Sequence, residues 1–212
     1  MNVRMFTVGP IAENTFIVRP DGGERAVIVD PGDEAERLLG ALREFQVQLD
    51  GILLTHTHYD HIGAVAEMAE ATGAEVWCPE IELPVLANPN AYMSVPGLPP
   101  LRGYEAEHSL SGGETLNLAG MAIDVLFTPG HSPGHVTYSI PSKQALFSGD
   151  VLFQGSVGRT DLPGGDWGTL LESIRSLVEN HPPETTVYPG HMGTTTLGAE
   201  RQSNPFLGEL AR

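Results

Sequence analysis

The hydrophobic pattern of the first fifty residues changes from a strand period to a helix period. β-rich runs flank Gly9-Pro10 in "MFTVGPIAENTFIV", and the turn "PDGG" leads into a third run, "RAVIVDPGD", which predicts a meander of strands. Apolar residues then recur at helical spacing, at Leu38, Leu39, Leu42 and Phe45. We expect a helix here, with Asp33 as its N-cap and Glu36 in capping-box position.

The rest of the chain alternates strand and helix patterns. "GILLT" is a continuous apolar run typical of a strand covered on both faces, "IGAVAEMAEATG" predicts a helix that ends at Gly73, and "AEVWC" resumes the strand pattern. Residues 79–108 are rich in proline, and we expect an irregular excursion that serves as a lid or flexible surface. Strands follow in "ETLNL", "MAIDVLFTP", "HVTYSIP" and "ALFSG", then a helix capped by Asp166 and a last strand in "TTVYPGH". This alternation predicts an α/β sandwich.

Composition limits the classes of function. The chain has 212 residues, of which 41% are hydrophobic, and its formal net charge of −16 repels a phosphate backbone, so we expect no nucleic-acid partner. No apolar stretch approaches the roughly 20 residues that cross a bilayer, and the N-terminus lacks the apolar core of a signal peptide. We therefore expect a cytoplasmic protein without a membrane partner. Cys78 is the single cysteine, and we interpret it as a small buried hydrophobe.

Three histidines and an aspartate crowd the segment directly after "GILL", in "THTHYDH" at residues 55–61. His56 and His58 are two residues apart, so in an extended segment their imidazoles point the same way and can share one metal ion. Asp60 and His61 come where the chain turns toward the next helix, so their side chains can face a second ion. One short loop can therefore serve two metal sites.

Further candidate ligands end other strands, and each follows a glycine: His131 in "TPGH", Asp150 in "FSGD" and His191 in "YPGH". Glycine lets the backbone turn sharply and removes a side chain that would crowd a metal pocket. Five of the eight histidines fall in this set, so chance grouping is a poor explanation. His108, His135 and His181 lie outside it, and we interpret His135 and His181 as structural.

These motifs resemble those of the metallo-β-lactamase superfamily, and within it those of the glyoxalase II group of hydroxyacylglutathione hydrolases. The resemblance covers nearly the whole chain and rests on "DPGD" at 30–33, "THTHYDHIGA" at 55–64, "TPGHSPGH" at 128–135, "FSGD" at 147–150, "GSVGRTDLPGGD" at 155–166, "YPGH" at 188–191 and "NPF" at 204–206. It implies a single domain over residues 1–212 with the four-layer αββα sandwich of that superfamily. The site would lie at the edges of the two sheets.

The resemblance also implies a role for each candidate ligand. The first ion would be held by His56, His58 and His131, the second by Asp60, His61 and His191, and Asp150 would bridge the two ions. Asp30 resembles the family's acid that orients a ligating imidazole, although a simple turn residue before Pro31 is the alternative. Histidine and carboxylate sites accept zinc, iron or manganese, and we expect two divalent ions, with zinc as the first choice.

Two departures from glyoxalase II concern the thiol part of the substrate. Glyoxalase II enzymes carry a C-terminal helical domain that helps to hold glutathione, whereas this sequence ends soon after His191, so we expect that domain to be absent. They also place tyrosines after the last histidine and on the loop after the bridging aspartate, where this chain has "HMGT" and "GRTD". Arg159 of the second loop is our candidate for steering an anionic substrate, with a solvated surface charge as the alternative.

The leading hypothesis is a metal-dependent hydrolase for a thioester of a small acyl group and a low-molecular-weight thiol. A hydroxide bridging the two ions would attack the thioester carbonyl, with Asp60 positioning the nucleophile and Asp150 holding both ions. A thiol with a pKa near about 8.5 then leaves with little general-acid help. We therefore expect Asp60 and Asp150 to be catalytic.

Two alternatives remain open. The "GRTD" loop also resembles the persulfide dioxygenases of the same superfamily, in which a single iron would be held by His56 and His58 or its neighbours, with His131 and Asp150. A metal-binding regulatory module without catalysis is the second alternative, although all seven ligand positions are filled. The missing export signal disfavours a β-lactamase, and the net charge of −16 disfavours a ribonuclease. The sequence assigns no oligomeric state.

Overall fold

The first half of the chain builds a six-stranded sheet in the computed structural model, which describes residues 1–208. Its strands are β1 (Asn2–Val8), β2 (Glu13–Arg19), β3 (Arg25–Val29), β4 (Gln48–Leu53), β5 (Glu75–Pro79) and β6 (His108–Leu110). The first three strands pair antiparallel, as the predicted meander requires, and β3 to β6 run parallel. The carboxyl ends of β3 and β4 therefore lie side by side.

The second half builds another six-stranded sheet, with the strand order β14-β13-β10-β9-β8-β7. Its strands are β7 (Thr115–Leu118), β8 (Met121–Phe127), β9 (Val136–Ile140), β10 (Ala145–Gly149), β13 (Thr186–Pro189) and β14 (Thr195–Thr196), while β11 (Leu152–Phe153) and β12 (Ser156–Val157) form a separate ribbon. β10 and β13 run parallel, so their carboxyl ends also meet.

The helices follow the predicted stripes of apolar residues. They are α1 (Ala35–Glu44), α2 (Tyr59–Ile62), α3 (Val65–Thr72), α4 (Leu83–Ala87), α5 (Pro89–Tyr92), α6 (Trp167–Asn180) and α7 (Leu197–Ser203). Asp166 caps α6 by accepting a hydrogen bond from the Thr169 amide at 2.7 Å, and Gly73 ends α3 in a left-handed conformation. Within residues 1–208, no helix is both long and apolar enough to cross a membrane.

Buried apolar side chains show the order of the layers. Leu38 of α1 packs in one cluster with Ile28 of β3, and Leu170 of α6 packs in another with Leu146 of β10. Each sheet thus has helices on its outer face. The four-layer αββα sandwich that the resemblance implied is confirmed.

The two sheets pack against each other through a third apolar cluster. Phe16 of β2 and Phe147 of β10 meet edge to face with their ring centroids 5.5 Å apart, and Phe147 stacks on Tyr188. The hydroxyl of Tyr138 donates to the Leu54 carbonyl at 2.7 Å, which joins β9 to the end of β4. This contact fixes the second sheet next to the segment that carries His56 and His58.

The start of α1 differs from the prediction. Its N-cap is Glu34, in a left-handed conformation and without a side-chain capping bond, and the helix begins at Ala35. The Asp33 carboxylate accepts from the Glu34 amide at 2.6 Å, so it stabilises the turn before the helix. The predicted Asp33 cap and its capping box with Glu36 are therefore wrong.

The proline-rich segment 79–108 is more regular than predicted. It contains a 3-10 turn at Glu80–Glu82 followed by α4 and α5, and it ends in β6. Pro84 and Pro89 lie in the first turns of α4 and α5, where a proline costs no hydrogen bond. These prolines start helices, and the irregular part is limited to the stretch between α5 and β6.

Candidate metal centre

The ends of four strands bring all the candidate ligands to one edge of the sandwich. His56 and His58 follow β4, Asp60 and His61 lie on α2, His131 follows β8, Asp150 follows β10, and His191 follows β13. The strands are fixed by their sheets, so each delivers its following residue to a defined position. Six of the seven side chains form two clusters of three, and Asp150 is the seventh.

The first cluster consists of His56, His58 and His131, and one ligand atom from each lies within 4.8 Å of the others. His56 and His131 are buried and His58 is partly exposed. His58 Nδ1 lies 2.8 Å from His131 Nε2. The first cluster therefore offers three imidazole nitrogens to one point.

The second cluster consists of Asp60, His61 and His191, which meet the same distance criterion. His191 Nε2 lies 3.2 Å from Asp60 Oδ2, and His61 Nε2 lies 3.9 Å from the same oxygen. His61 is buried, whereas Asp60 and His191 are partly exposed. The second cluster therefore combines a carboxylate with two imidazoles at the more open side of the site.

Asp150 lies between the two clusters. Its Oδ2 is 3.4 Å from His131 Nε2 of the first cluster and 3.5 Å from His191 Nε2 of the second. Its Oδ1 is 3.4 Å from His61 Nε2. One carboxylate thus faces both sets of ligand atoms.

Hydrogen bonds behind the imidazoles decide which nitrogen faces the site. The Thr55 hydroxyl donates to Asp30 Oδ2 at 2.6 Å, so it accepts from His56 Nδ1 at 3.0 Å. His61 Nδ1 donates to the same carboxylate at 3.0 Å. Nε2 of His56 and Nε2 of His61 therefore face the site, where their lone pairs can bind a metal ion.

Backbone carbonyls orient two further imidazoles in the same way. His131 Nδ1 donates to the Arg159 carbonyl at 2.7 Å, and His191 Nδ1 donates to the Ala12 carbonyl at 3.3 Å. His58 is turned the other way, with Nδ1 toward the cluster. Each of the five imidazoles presents one nitrogen inward.

The donor atoms fit metal ions. Atoms held about 2.0–2.2 Å from a tetrahedral ion lie roughly 3.4 Å apart, and the distances from Asp150 to three imidazoles are 3.4, 3.4 and 3.5 Å. Within residues 1–208, His56 Nε2, His61 Nε2 and Asp150 Oδ1 are buried without a hydrogen-bond partner. Unpaired buried polar atoms are costly, and one ion in each cluster would give all three atoms a partner.

The glycine before His191 keeps the site open. A Cβ at Gly190 would lie 2.8 Å from His61 Cε1 and would collide with Asp150 Oδ1. Any side chain at Gly190 would thus occupy the space between the second cluster and Asp150, as the sequence predicted for the glycines that precede ligands.

Charge separates the two clusters. Burial lowers the pKa of His58 to about 4, with a further contribution from His131, and it lowers the pKa of His56 well below its ordinary value. In the second cluster burial acts to lower the pKa of His61, but the carboxylates of Asp150 and Asp30 raise it well above its ordinary value. Burial therefore favours neutral imidazoles in the first cluster, whereas the neighbouring carboxylates favour the protonated form of His61.

The carboxylates of the site stay ionised. Burial acts to raise the pKa of Asp150, yet His61 and His131 hold it well below its usual range. Burial also acts to raise the pKa of Asp60, and a hydrogen bond from His191 lowers it. Both side chains are therefore anionic at neutral pH.

Asp30 lies behind the ligands. It is 2% exposed and adopts a left-handed backbone conformation, with φ 47°, at the end of β3. Its oxygens accept from the Thr55 amide, the Thr55 hydroxyl and His61 Nδ1. Asp30, His56 and His61 form a third group of side chains close enough to share an ion. The Asp30 carboxylate is already engaged by the three hydrogen bonds above, so we do not assign it as a ligand. Asp30 is thus both the turn residue and the acid that orients His61.

The Arg159 side chain does not enter the site. Its guanidinium makes two hydrogen bonds to the Asp161 carboxylate, at 2.6 and 2.7 Å, and both side chains are exposed. The Arg159 carbonyl is the group that contacts a candidate ligand, His131. This pair uses Nε and Nη2 of the guanidinium.

Two supporting residues, Glu13 and Glu82, were missed from the sequence, whereas the structural interpretation of His135 is confirmed. Glu13 is fully buried with Oε1 3.8 Å from His61 Nδ1, and burial raises the pKa of its carboxyl well above the usual range. His135, interpreted as structural, is buried and accepts from the Asp150 amide at 3.1 Å. Glu82 contacts both loops of the first cluster. The available signal for Glu13 was an acidic residue opening the apolar strand "ENTFIV", and for Glu82 there was none.

Comparison with known proteins gives one family. A profile of the metallo-β-lactamase superfamily matches residues 8–191. The chain is 37% identical to the hydroxyacylglutathione hydrolase GloC of Haemophilus influenzae and 40% identical to the probable metallo-hydrolase YqgX of Bacillus subtilis. Each alignment covers 98% of both chains.

Solved structures agree with this fold. A structure described as the BLEG-1 B3 metallo-β-lactamase is 40% identical, with a TM-score of 0.92 over 98% of this chain and 100% of that one. TTHA1623 in a di-iron-bound form is 42% identical, with a TM-score of 0.77 over 97% and 100%. ETHE1 from Myxococcus xanthus is 27% identical, with a TM-score of 0.78 over 97% and 84%.

Proposed function

The chain belongs to the metallo-β-lactamase superfamily, and we propose that it is a two-metal hydrolase of thioesters between a small acyl group and a low-molecular-weight thiol. The relative GloC, named a hydroxyacylglutathione hydrolase, supports hydrolysis of this kind. The observation that carries the proposal is the position of the Asp150 carboxylate, which faces both clusters at 3.4 to 3.5 Å. Such an arrangement suits two ions that share one ligand.

The proposed ligands are the side chains already described. The first cluster would hold one ion, the second cluster would hold the other, and Asp150 would contact both. Two bound divalent ions supply a hydroxide nucleophile near neutral pH and polarise a carbonyl oxygen. Zinc is our first choice, and iron and manganese suit the same ligands, with the di-iron form of TTHA1623 as support for iron.

The protein's own groups would orient the reaction. Asp60 stays ionised and partly exposed at the second cluster, so it can accept a hydrogen bond from the attacking water and fix its direction. The thiol that leaves has a pKa near about 8.5 and needs little general-acid help. Arg159 could attract an anionic acyl thioester from the exposed loop, although the Asp161 carboxylate beside it offsets part of its charge.

A persulfide dioxygenase is the second candidate, and the likeness to ETHE1 keeps it open. It would use a single iron at the first cluster with Asp150, and it would leave the second cluster without an ion. The shared carboxylate and the complete second cluster favour the hydrolase. A regulatory module without catalysis is the non-enzymatic alternative.

Thiol release and oxygen uptake distinguish these functions. We expect the metal-loaded protein to release thiol from a hydroxyacylglutathione or another small acyl thioester, to lose this activity with a chelator and to regain it with zinc or iron. Oxygen uptake with glutathione persulfide, without thiol release from any thioester, would overturn the proposal in favour of the dioxygenase. A β-lactam belongs in the same panel because BLEG-1 is described as a β-lactamase, and cleavage of the β-lactam alone would also overturn it.

A further inference from the structure

A buried carboxylate from the proline-rich segment joins the two loops that carry the first cluster. Glu82, which is 5% exposed at the end of the 3-10 turn before α4, lies between the loop after β4 and the loop after β8. We propose that Glu82 is a positioning residue that holds these two loops together and so sets the spacing of His56, His58 and His131. This inference rests on the proposed metal site.

Each oxygen of Glu82 contacts a different loop. Oε2 accepts from the Thr57 hydroxyl at 2.6 Å. Oε1 accepts from the Ser132 hydroxyl at 2.7 Å and from the Gly134 amide at 3.0 Å. A carboxylate accepts hydrogen bonds only, so all three groups act as donors and none competes for the same lone pair.

The donors sit directly beside the ligands in the sequence. Thr57 lies between His56 and His58, and in an extended segment its side chain points away from theirs, toward Glu82. Ser132 follows His131. A shift of either donor by a fraction of an ångström would therefore move a ligand by a similar distance.

The missing side chain of Gly134 leaves the space that the Glu82 carboxylate occupies. A Cβ at Gly134 would lie 2.7 Å from Glu82 Cγ and 2.9 Å from its Oε1, so any larger residue would displace the side chain. Thr57 and Ser132 are 1% and 2% exposed, so in the folded protein their hydroxyls bond Glu82 and not solvent. Groups that hold metal ligands from behind typically change metal affinity by about 10- to 100-fold when removed.

Zinc titration of metal-stripped protein against a chromophoric chelator tests the proposal. We expect E82A to bind the ion of the first cluster about 10- to 100-fold more weakly than the wild type, with the second ion changed by less than about threefold. E82Q can accept from Ser132 and Gly134 and donate to Thr57, so it should restore affinity to within about threefold of the wild type. E80A is the matched control, because Glu80 lies on the same turn, is exposed, and its side chain hydrogen-bonds only Ser111 among the described residues.

Two further measurements keep the test decisive. Cobalt(II) in the first cluster should show an altered visible spectrum in E82A and the wild-type spectrum in E82Q, a change that general loss of stability would not produce. If E82A does not fold, S132A removes a single donor and should weaken the first ion in the same direction by a smaller factor. Unchanged first-ion affinity in the folded variants, or equal losses in E82A and E82Q, would overturn the positioning role. A wild-type protein that binds two ions but cleaves no thioester would contradict the proposed function alone.

Discussion

The first and second clusters lie on either side of Asp150 but differ in charge and in exposure. The first consists of imidazoles whose pKa values are lowered by burial, and neutral groups such as the Thr55 hydroxyl and the Arg159 carbonyl support it. The second contains the Asp60 carboxylate, is backed by the Asp30 carboxylate, and has a side chain 20% exposed at His191. One edge of a sandwich thus builds a neutral, enclosed site beside a charged, open one.

This difference suggests a division of labour. The enclosed cluster is better suited to hold an ion firmly, since burial keeps its imidazoles neutral and each can turn an unprotonated nitrogen toward the ion. The open cluster is where solvent and substrate can reach the site, since Asp60 and His191 are partly exposed.

Removal of the shared carboxylate should have the largest effect because it acts on both clusters. For D150A we expect a loss of metal and a fall in kcat/KM of at least about 10³-fold, since several kcal/mol of charge stabilisation are lost at about 1.4 kcal/mol per tenfold. Metal analysis and thioester kinetics would check this. D124A is the control, because Asp124 of β8 accepts a hydrogen bond from the Thr115 hydroxyl of β7, away from the site. A D150A protein with two ions and full activity would contradict the account.

The protonation of the histidines should separate the clusters without any mutation. Burial and His131 lower the pKa of His58 from 6.5 to about 4, which is a change in proton affinity of about 300-fold. In metal-free protein, ¹⁵N NMR of the imidazoles should show His58 neutral and His61 charged at pH 6. Titration of His58 near pH 6.5 would remove the distinction.

The same shift makes the metal-free fold sensitive to acid. A histidine whose pKa is lowered on folding contributes stability that is fully present above its unfolded pKa. This stability is lost as the pH falls toward the folded pKa, because between the two values the unfolded chain binds a proton that the folded chain does not. Stability should therefore fall as the pH drops from 6.5 toward about 4. Urea unfolding across this range would measure it, and a flat profile would contradict the prediction.

Asp30 should affect the second cluster more than the first. D30N keeps the size of the side chain but removes the charge that holds His61 Nδ1. We expect the second ion to bind about 10- to 100-fold more weakly, with a smaller change in the first. Metal titration gives both affinities. Equal losses at the two clusters would show that Asp30 acts through Thr55 and His56 as much as through His61.

Arg159 should have the smallest effect, because its side chain touches no ligand. For R159A we expect a severalfold rise in KM for an anionic thioester, unchanged kcat and unchanged metal content, since surface charges contribute about 0–1 kcal/mol. D161N would free the guanidinium and should lower KM. If R159A instead loses metal, the loop is needed to hold the Arg159 carbonyl against His131.

The sequence predicted which candidate ligands the fold brings together because strand ends are visible in the hydrophobic pattern. His131, Asp150 and His191 each follow a run of apolar residues and a glycine, and parallel strands bring such ends together. The αββα layers followed from the resemblance. Division of the ligands into two clusters around Asp150 agrees with the distances.

The supporting residues could not be read in the same way. Glu82 lies in a stretch where prolines concealed two short helices, and its role depends on burial between loops from different sheets. Glu13 and Asp33 show the same limit. Glu13 is buried although it is acidic, and Asp33 stabilises the turn before α1 instead of capping the helix. Long-range contacts decide the surroundings of a side chain, and the local pattern does not contain them.

The number of ions per chain tests the central claim most directly. Native mass spectrometry of protein purified without added metal and then titrated with zinc should show saturation at two ions. The first ion should be retained under competition that removes the second. Saturation at one ion, or binding that D150A leaves unchanged, would contradict a site in which Asp150 serves two metals.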